Sequence, residues 1–127
     1  MDKSITYILM CTAASEIREL WTPAIGDVYY SLLKNQVQVV DKLPFLKAKY
    51  VWLPRADQLC TIIEPHYDVP LRAPYVLNKL HQYIMAYTPK NTGSLEQMLI
   101  QFIMLELHNM EYIPRAWRKR RAVNPQL

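Results

Sequence analysis

Tyr50-Val-Trp-Leu-Pro-Arg-Ala-Asp-Gln-Leu59 is the stretch on which the fold turns. Its first four residues are aromatic, branched or large, and they read as a short buried strand. Pro54 lacks a backbone donor and suits the first helical position, so a helix is expected to begin there. Ala56, Leu59, Cys60 and Ile63 then fall at i, i+3, i+4 and i+7, which predicts one apolar stripe. Glu64-Pro65 ends the helix, because a residue before proline resists the α region. Trp52 and Leu53 are expected in the core. Asp57 complements the helix dipole, and Arg55 is either tied to a nearby carboxylate or offered to a partner.

Upstream, Val28-Tyr-Tyr-Ser-Leu32 and Gln36-Val-Gln-Val-Val40 read as strands joined by a turn at Lys34-Asn35. The second alternates polar and apolar residues, the pattern of a half-buried strand. Gly26 is placed to supply positive φ in a turn before the first. Ser15 to Leu20 reads as a short helix capped by Ser15 and broken by Trp21-Thr-Pro23. Met1 to Ala14 is apolar, and its periodicity does not separate helix from strand.

Downstream, Pro74 is expected to open a second helix in which Leu77, Leu80, Ile84 and Tyr87 share a face, with Pro89 closing it. Ser94-Leu-Glu-Gln97 is a capping-box pattern and starts a third helix reaching about Asn109. Leu95, Met98, Leu99, Phe102 and Ile103 fill one face of it, and Ile100, Met104 and Leu107 widen the apolar surface. Such a helix is either central to its domain or shared with a partner, and a sheet with two other helices favours the central place. The expected fold is α+β: a small antiparallel sheet followed by about three packed helices. Trp52, Leu59, Leu80, Ile84, Leu99, Phe102 and Ile103 form its core, with one globular domain over 1–114 and a basic tail over 115–127.

Composition narrows the chemistry. The chain of 127 residues is long enough for one core, and two glycines against nine prolines all but exclude a phosphate-cradling loop. Two cysteines are too few for a disulfide scaffold, so a reducing cytoplasm is expected. The run Ile5 to Ala14 resembles a weak signal peptide, but its only preceding base follows Asp2, and export is not expected. No run approaches the roughly 20 apolar residues that span a bilayer, so no membrane partner is expected. The net charge of +4 is local: Arg115-Ala-Trp-Arg-Lys-Arg-Arg121 holds five of the fifteen basic residues and no acid. Without it the balance is ten basic to eleven acidic, or −1.

Glu64, His66 and Asp68 lie within five residues and could serve a metal or acid–base chemistry, yet flanking prolines mark a loop where charged residues are ordinary. His81 and His108 are expected to be solvated or singly hydrogen-bonded, and Cys60 to be packed and inert. No catalytic residue, metal ligand or cofactor site is assigned. Arg115, Arg118, Lys119, Arg120 and Arg121 would contact phosphates and Trp117 would stack on a base, giving non-specific nucleic-acid affinity; the plainer reading is a solvated terminus.

Ile17-Arg-Glu-Leu-Trp21, Pro23, Ile25-Gly-Asp27 with Tyr29-Tyr30, Trp52-Leu-Pro-Arg55 with Asp57-Gln-Leu59, and Ser94-Leu-Glu-Gln97 with Phe102-Ile-Met104 together resemble a family of small uncharacterised bacteriophage and prophage proteins. The likeness covers about residues 17–106 and leaves out the N-terminal segment and the basic run. It implies a phage setting, hence the host cytoplasm, and carries no activity, cofactor or site residue. The expected function is a non-catalytic accessory role through protein–protein binding to a host or phage protein, with homodimerisation open. Tyr29, Tyr30 and Arg55, with the wide face of the third helix, are the candidate interaction surface. Nucleic-acid binding through the basic run is the alternative, and a small hydrolase or metal enzyme the second.

Overall fold

The computed structural model describes residues 1–87, 93–113 and 116–120. Helices α1 (Ile5–Ala13) and α2 (Ser15–Arg18) come first, followed by strands β1 (Val28–Ser31), β2 (Gln36–Val39) and β3 (Val51–Trp52). Then come α3 (Ala56–Ile63), α4 (Arg72–Tyr87), α5 (Leu95–His108), and a hairpin of β4 (Met110–Ile113) and β5 (Ala116–Lys119). The α+β class is as expected: an antiparallel sheet in the order β2-β1-β3, a separate two-stranded sheet, and helices packed about them.

The apolar N-terminal segment is a helix, begun by Ser4, whose side chain accepts from Tyr7 N–H. Tyr7, Met10 and Cys11 are its buried side, and the Tyr7 hydroxyl donates to Pro54 O at 2.6 Å. Ser15 does not cap the next helix. It is the first helical residue, and Ala14 holds the cap position. Helix α3 likewise starts later than expected. Arg55 keeps an extended backbone at ψ 163° and is the N-cap, and Gln58 Oε1 accepts from its N–H at 2.9 Å. Pro54 therefore precedes the helix. Leu59 and Ile63 are buried on α3, with Ala56 and Cys60 at the margin of the stripe.

Pairing register sorts the sheet residues onto two faces. Val28 pairs with Val39, Tyr30 with Val37, and Tyr30 also with Val51, so these side chains share one face. Helix α1 lies over that face. Tyr29, paired with Gln38 and Trp52, belongs to the other, where Trp21, Phe45 and Tyr50 close over it. Trp21 lies parallel to Trp52 at 6.1 Å and 2°. The strand-to-helix corner thus ends one layer of aromatic rings.

Helix α5 is central, as its composition indicates: Leu99, Ile100, Phe102, Ile103 and Met104 are buried against the rest of the chain, and Leu95 is left exposed. Its wide apolar surface is therefore core and not a docking face. Ser94 caps it, accepting from Gln97 N–H, and Asn109 ends it in the left-handed region at φ 53°. The Gln97 side chain does not return to its own cap; its amide donates to Asp2 Oδ2 at 2.8 Å. Partial burial opposes ionisation of Asp2, but hydrogen bonds from Ser4, Ser94 and Gln97 outweigh it and pull its pKa down to about 2. One carboxylate thereby joins the starts of α1 and α5.

In α4 the buried residues are Val76 and Leu80, with Tyr83 and Ile84 partly buried beside them. Leu77 faces outward, contrary to the expected stripe, and Ile84 is peripheral and not central core. Pro89 and the Tyr87 side chain lie outside the described residues. The boundary drawn at 114 falls inside the β4–β5 hairpin. Met110 pairs with Lys119, Glu111 with Arg118, Tyr112 with Trp117, and Ile113 with Ala116, so the basic run re-enters the domain.

Candidate functional site

Three groups of residues could carry function: the corner around Asp27, the basic hairpin, and the open edge of the sheet. At the first, Asp27 is a charged residue only 4 % exposed. Its Oδ2 accepts from Trp21 Nε1–H and Ala24 N–H, both at 2.9 Å, and its Oδ1 from Gln58 Nε2 at 2.8 Å. Arg55 Nη1 stands 3.9 Å from Oδ1, while Arg55 Nε donates to Asp57 at 3.2 Å. Gly26, at φ +96°, turns the chain so that its N–H reaches Val40 O. Trp21, Gly26, Asp27, Arg55 and Gln58, scattered in the sequence motif, therefore meet at one carboxylate. Both carboxylate oxygens accept from the protein itself, so the corner reads as a structural brace. Arg55, expected on an interaction surface, borders this corner with its side chain 39 % exposed.

The basic run is also engaged. Trp117 Nε1–H donates to Met10 O at 3.0 Å, and its ring packs on Tyr112 at 5.0 Å. Arg118 pairs with Glu111 at 2.9 Å, Lys119 Nζ donates to His108 O, and Arg120 N–H donates to Asn109 O. A cation on the last carbonyls of α5 is where the helix dipole wants one. Arg115 and Arg121 lie outside the described residues.

Glu64 and His66 form a single 3₁₀ turn; His66 and Asp68 are exposed, with the His66 ring against Tyr67. Among the described residues no three His, Cys, Asp or Glu side chains gather as a metal site. Tyr67 is buried, which raises its pKa, and its hydroxyl donates to Glu106. Burial raises the Cys11 and Cys60 thiols, with Glu64 and Asp57 adding to the shift at Cys60, so neither is poised as a thiolate. Among the described residues no helix is long and apolar enough to cross a membrane.

The open edge is different. Val40 N–H donates to Asp27 O and Leu53 N–H to Val28 O, each at 2.9 Å. Antiparallel ladders alternate, so the backbone groups of Gln36 and Gln38 face β1, and those of Val37 and Val39 face outward. Strand β2 ends the sheet, and no described residue pairs with those outward groups. Beside the edge runs a groove of about 440 Å³, lined by Ile5, Ile8, Leu9 and Thr12 of α1 and by Tyr30, Leu32, Asn35 and Val37 of the hairpin. Ile5 is 77 % exposed, Leu32 64 %, Val39 51 % and Leu9 38 %. Exposed apolar side chains are thus contiguous with an unpaired strand edge, the two features that strand addition would use.

Of the three residues expected to interact, only Tyr30 lies here, its hydroxyl bonded to Asn35. Tyr29 is buried on the opposite face and donates to Gln38 Oε1. Ile5, Leu9, Leu32, Val37 and Val39 were not legible as a site, because the signal depends on α1 being a helix and on its lying across β2. No family model, curated protein or solved structure matches the chain.

Proposed function

We propose that this is a small phage-type accessory protein that acts without catalysis, by binding another protein through the α1–β2 groove. The phage setting rests on the motif resemblance alone. The binding reading rests on one observation: outward backbone groups at Val37 and Val39 adjoin an exposed apolar groove. An edge strand supplies affinity through main-chain hydrogen bonds, and a neighbouring groove supplies selectivity by receiving alternate side chains.

Capture from nuclease-treated bacterial host lysate tests this, with the captured protein identified, purified and returned to the binding assay. The Ile5→Glu/Leu9→Glu variant, altered only at exposed positions, should retain its fold and bind that protein about tenfold or more weakly. Equal binding by both forms would contradict the groove. Recovery of nucleic acid alone from a parallel lysate without nuclease, and of no protein from the treated one, would favour the basic hairpin instead.

A further inference from the structure

We propose that the occupant of the open edge is a second copy of this chain, with β2 pairing antiparallel to β2 about a two-fold axis through Gln38. This deepens the binding reading above and rests on it. Only Val37 and Val39 present outward N–H and C=O groups along β2, and they flank Gln38 symmetrically. When residue 37 of one copy faces residue 39 of the other, the two residues form a hydrogen-bonded pair twice over. Shifting the pairing so that 37 faces 37, or 39 faces 39, leaves the other valine opposite a residue beyond the strand end. The self-complementary register is thus the one that satisfies both valines of both copies.

Isologous contacts require such self-complementarity. Two three-stranded sheets would become one of six strands, and the two axis-related α1 helices would lie on the same side of it. Ile5, Leu9 and Val39, exposed in the single chain, belong to that side and lose water together. Phe45, Tyr50 and Trp21 pack on the opposite face, away from the side on which the α1 helices would meet.

Sedimentation of the full chain at about 100 µM should show twice the 15.0 kDa chain mass. Val39→Pro removes an outward N–H while sparing the ladder to β1, so the variant should stay folded by circular dichroism and associate about tenfold or more weakly. Gln38→Cys in a Cys60→Ser background gives a positional readout. At the axis the two residues form a non-hydrogen-bonded pair about 4.5 Å apart at Cα, within disulfide reach. Mild oxidation should link the copies through position 38. Gln36→Cys should not link, since its two copies stand roughly 13 Å apart along the strands.

A wild-type chain that remains monomeric, or a dimer indifferent to Val39→Pro and unlinked through position 38, would overturn self-pairing. A monomer that still captures a partner dependent on Ile5 and Leu9 would remove this inference and leave the binding reading standing. A position-38-linked dimer with no other partner would support the inference and confine binding to self-association.

Discussion

Asp27→Ala is expected to destabilise the fold by about 2–4 kcal/mol, since the hydrogen bonds it removes end on an ionised, buried carboxylate. The carboxylate receives three hydrogen bonds, from the Trp21 indole, the Ala24 amide and the Gln58 side chain. Its removal leaves the buried Trp21 indole N–H unpaired, at a desolvation cost of about 1–3 kcal/mol, while the part-buried Ala24 and Gln58 donors can turn to water. It also frees the turn that delivers Gly26 to Val40, and with it the entry to β1. Since domains of this size hold only about 5–15 kcal/mol in all, the variant should lose a large share of its stability and unfold at a clearly lower urea concentration. Gln58→Ala removes one donor from the node and should cost about 1 kcal/mol. Arg55→Ala should cost less still, because the guanidinium is 3.9 Å away and half in solvent. Urea unfolding of the three variants checks this order. An Asp27→Ala loss below about 1 kcal/mol would contradict the bracing role of the carboxylate.

Trp117→Ala is the second large effect, expected near 3 kcal/mol with a fall in melting temperature of about 10 °C. The side chain is half-buried, packs on Tyr112 and donates to Met10 O across 107 residues of sequence. Calorimetry separates this from the reading of the run as a solvated terminus, for which the same substitution leaves the melting temperature unchanged. Arg118→Ala is the internal control. Its ion pair with Glu111 is largely exposed on both sides, so it should move stability by less than about 1 kcal/mol.

These two residues show where sequence reading worked and where it stopped. The corner at Trp52 to Leu59 was legible because strand, proline and apolar stripe follow one another within ten residues, and the signals are local. Its start was misplaced by the tertiary bond from Tyr7 to Pro54 and by the extended backbone of Arg55, which propensity does not encode. The stripe of α4 was expected to run through Leu77. Packing against α5 selected Val76, with Leu80 and Tyr83. Arg115 to Arg121 read as a charge cluster because Ala116-Trp-Arg-Lys119 carries no polar–apolar alternation to mark a strand, and its anchor is Met10, near the other end of the chain.

The candidate site was less legible than the fold. Gln36-Val-Gln-Val39 announced a half-buried strand, but whether it was central or at an edge is set by the pairing order. The apolar α1 segment lacks the polar positions that would reveal its face, so its exposed Ile5 and Leu9 were indistinguishable from core. Only the register of β1 against its two neighbours shows that Val37 and Val39, and not Gln38, carry the unpaired backbone.

Amide hydrogen exchange at these three positions, measured on the full chain at low and high concentration, tests the open edge most directly. In dilute solution Val37 and Val39 should exchange quickly while Gln38, bonded to β1, is protected. At high concentration both valines should become protected together, as strand addition requires. Protection of Val37 and Val39 that is already complete in the dilute monomer, or that never appears at any concentration or with a bound partner, would contradict the account.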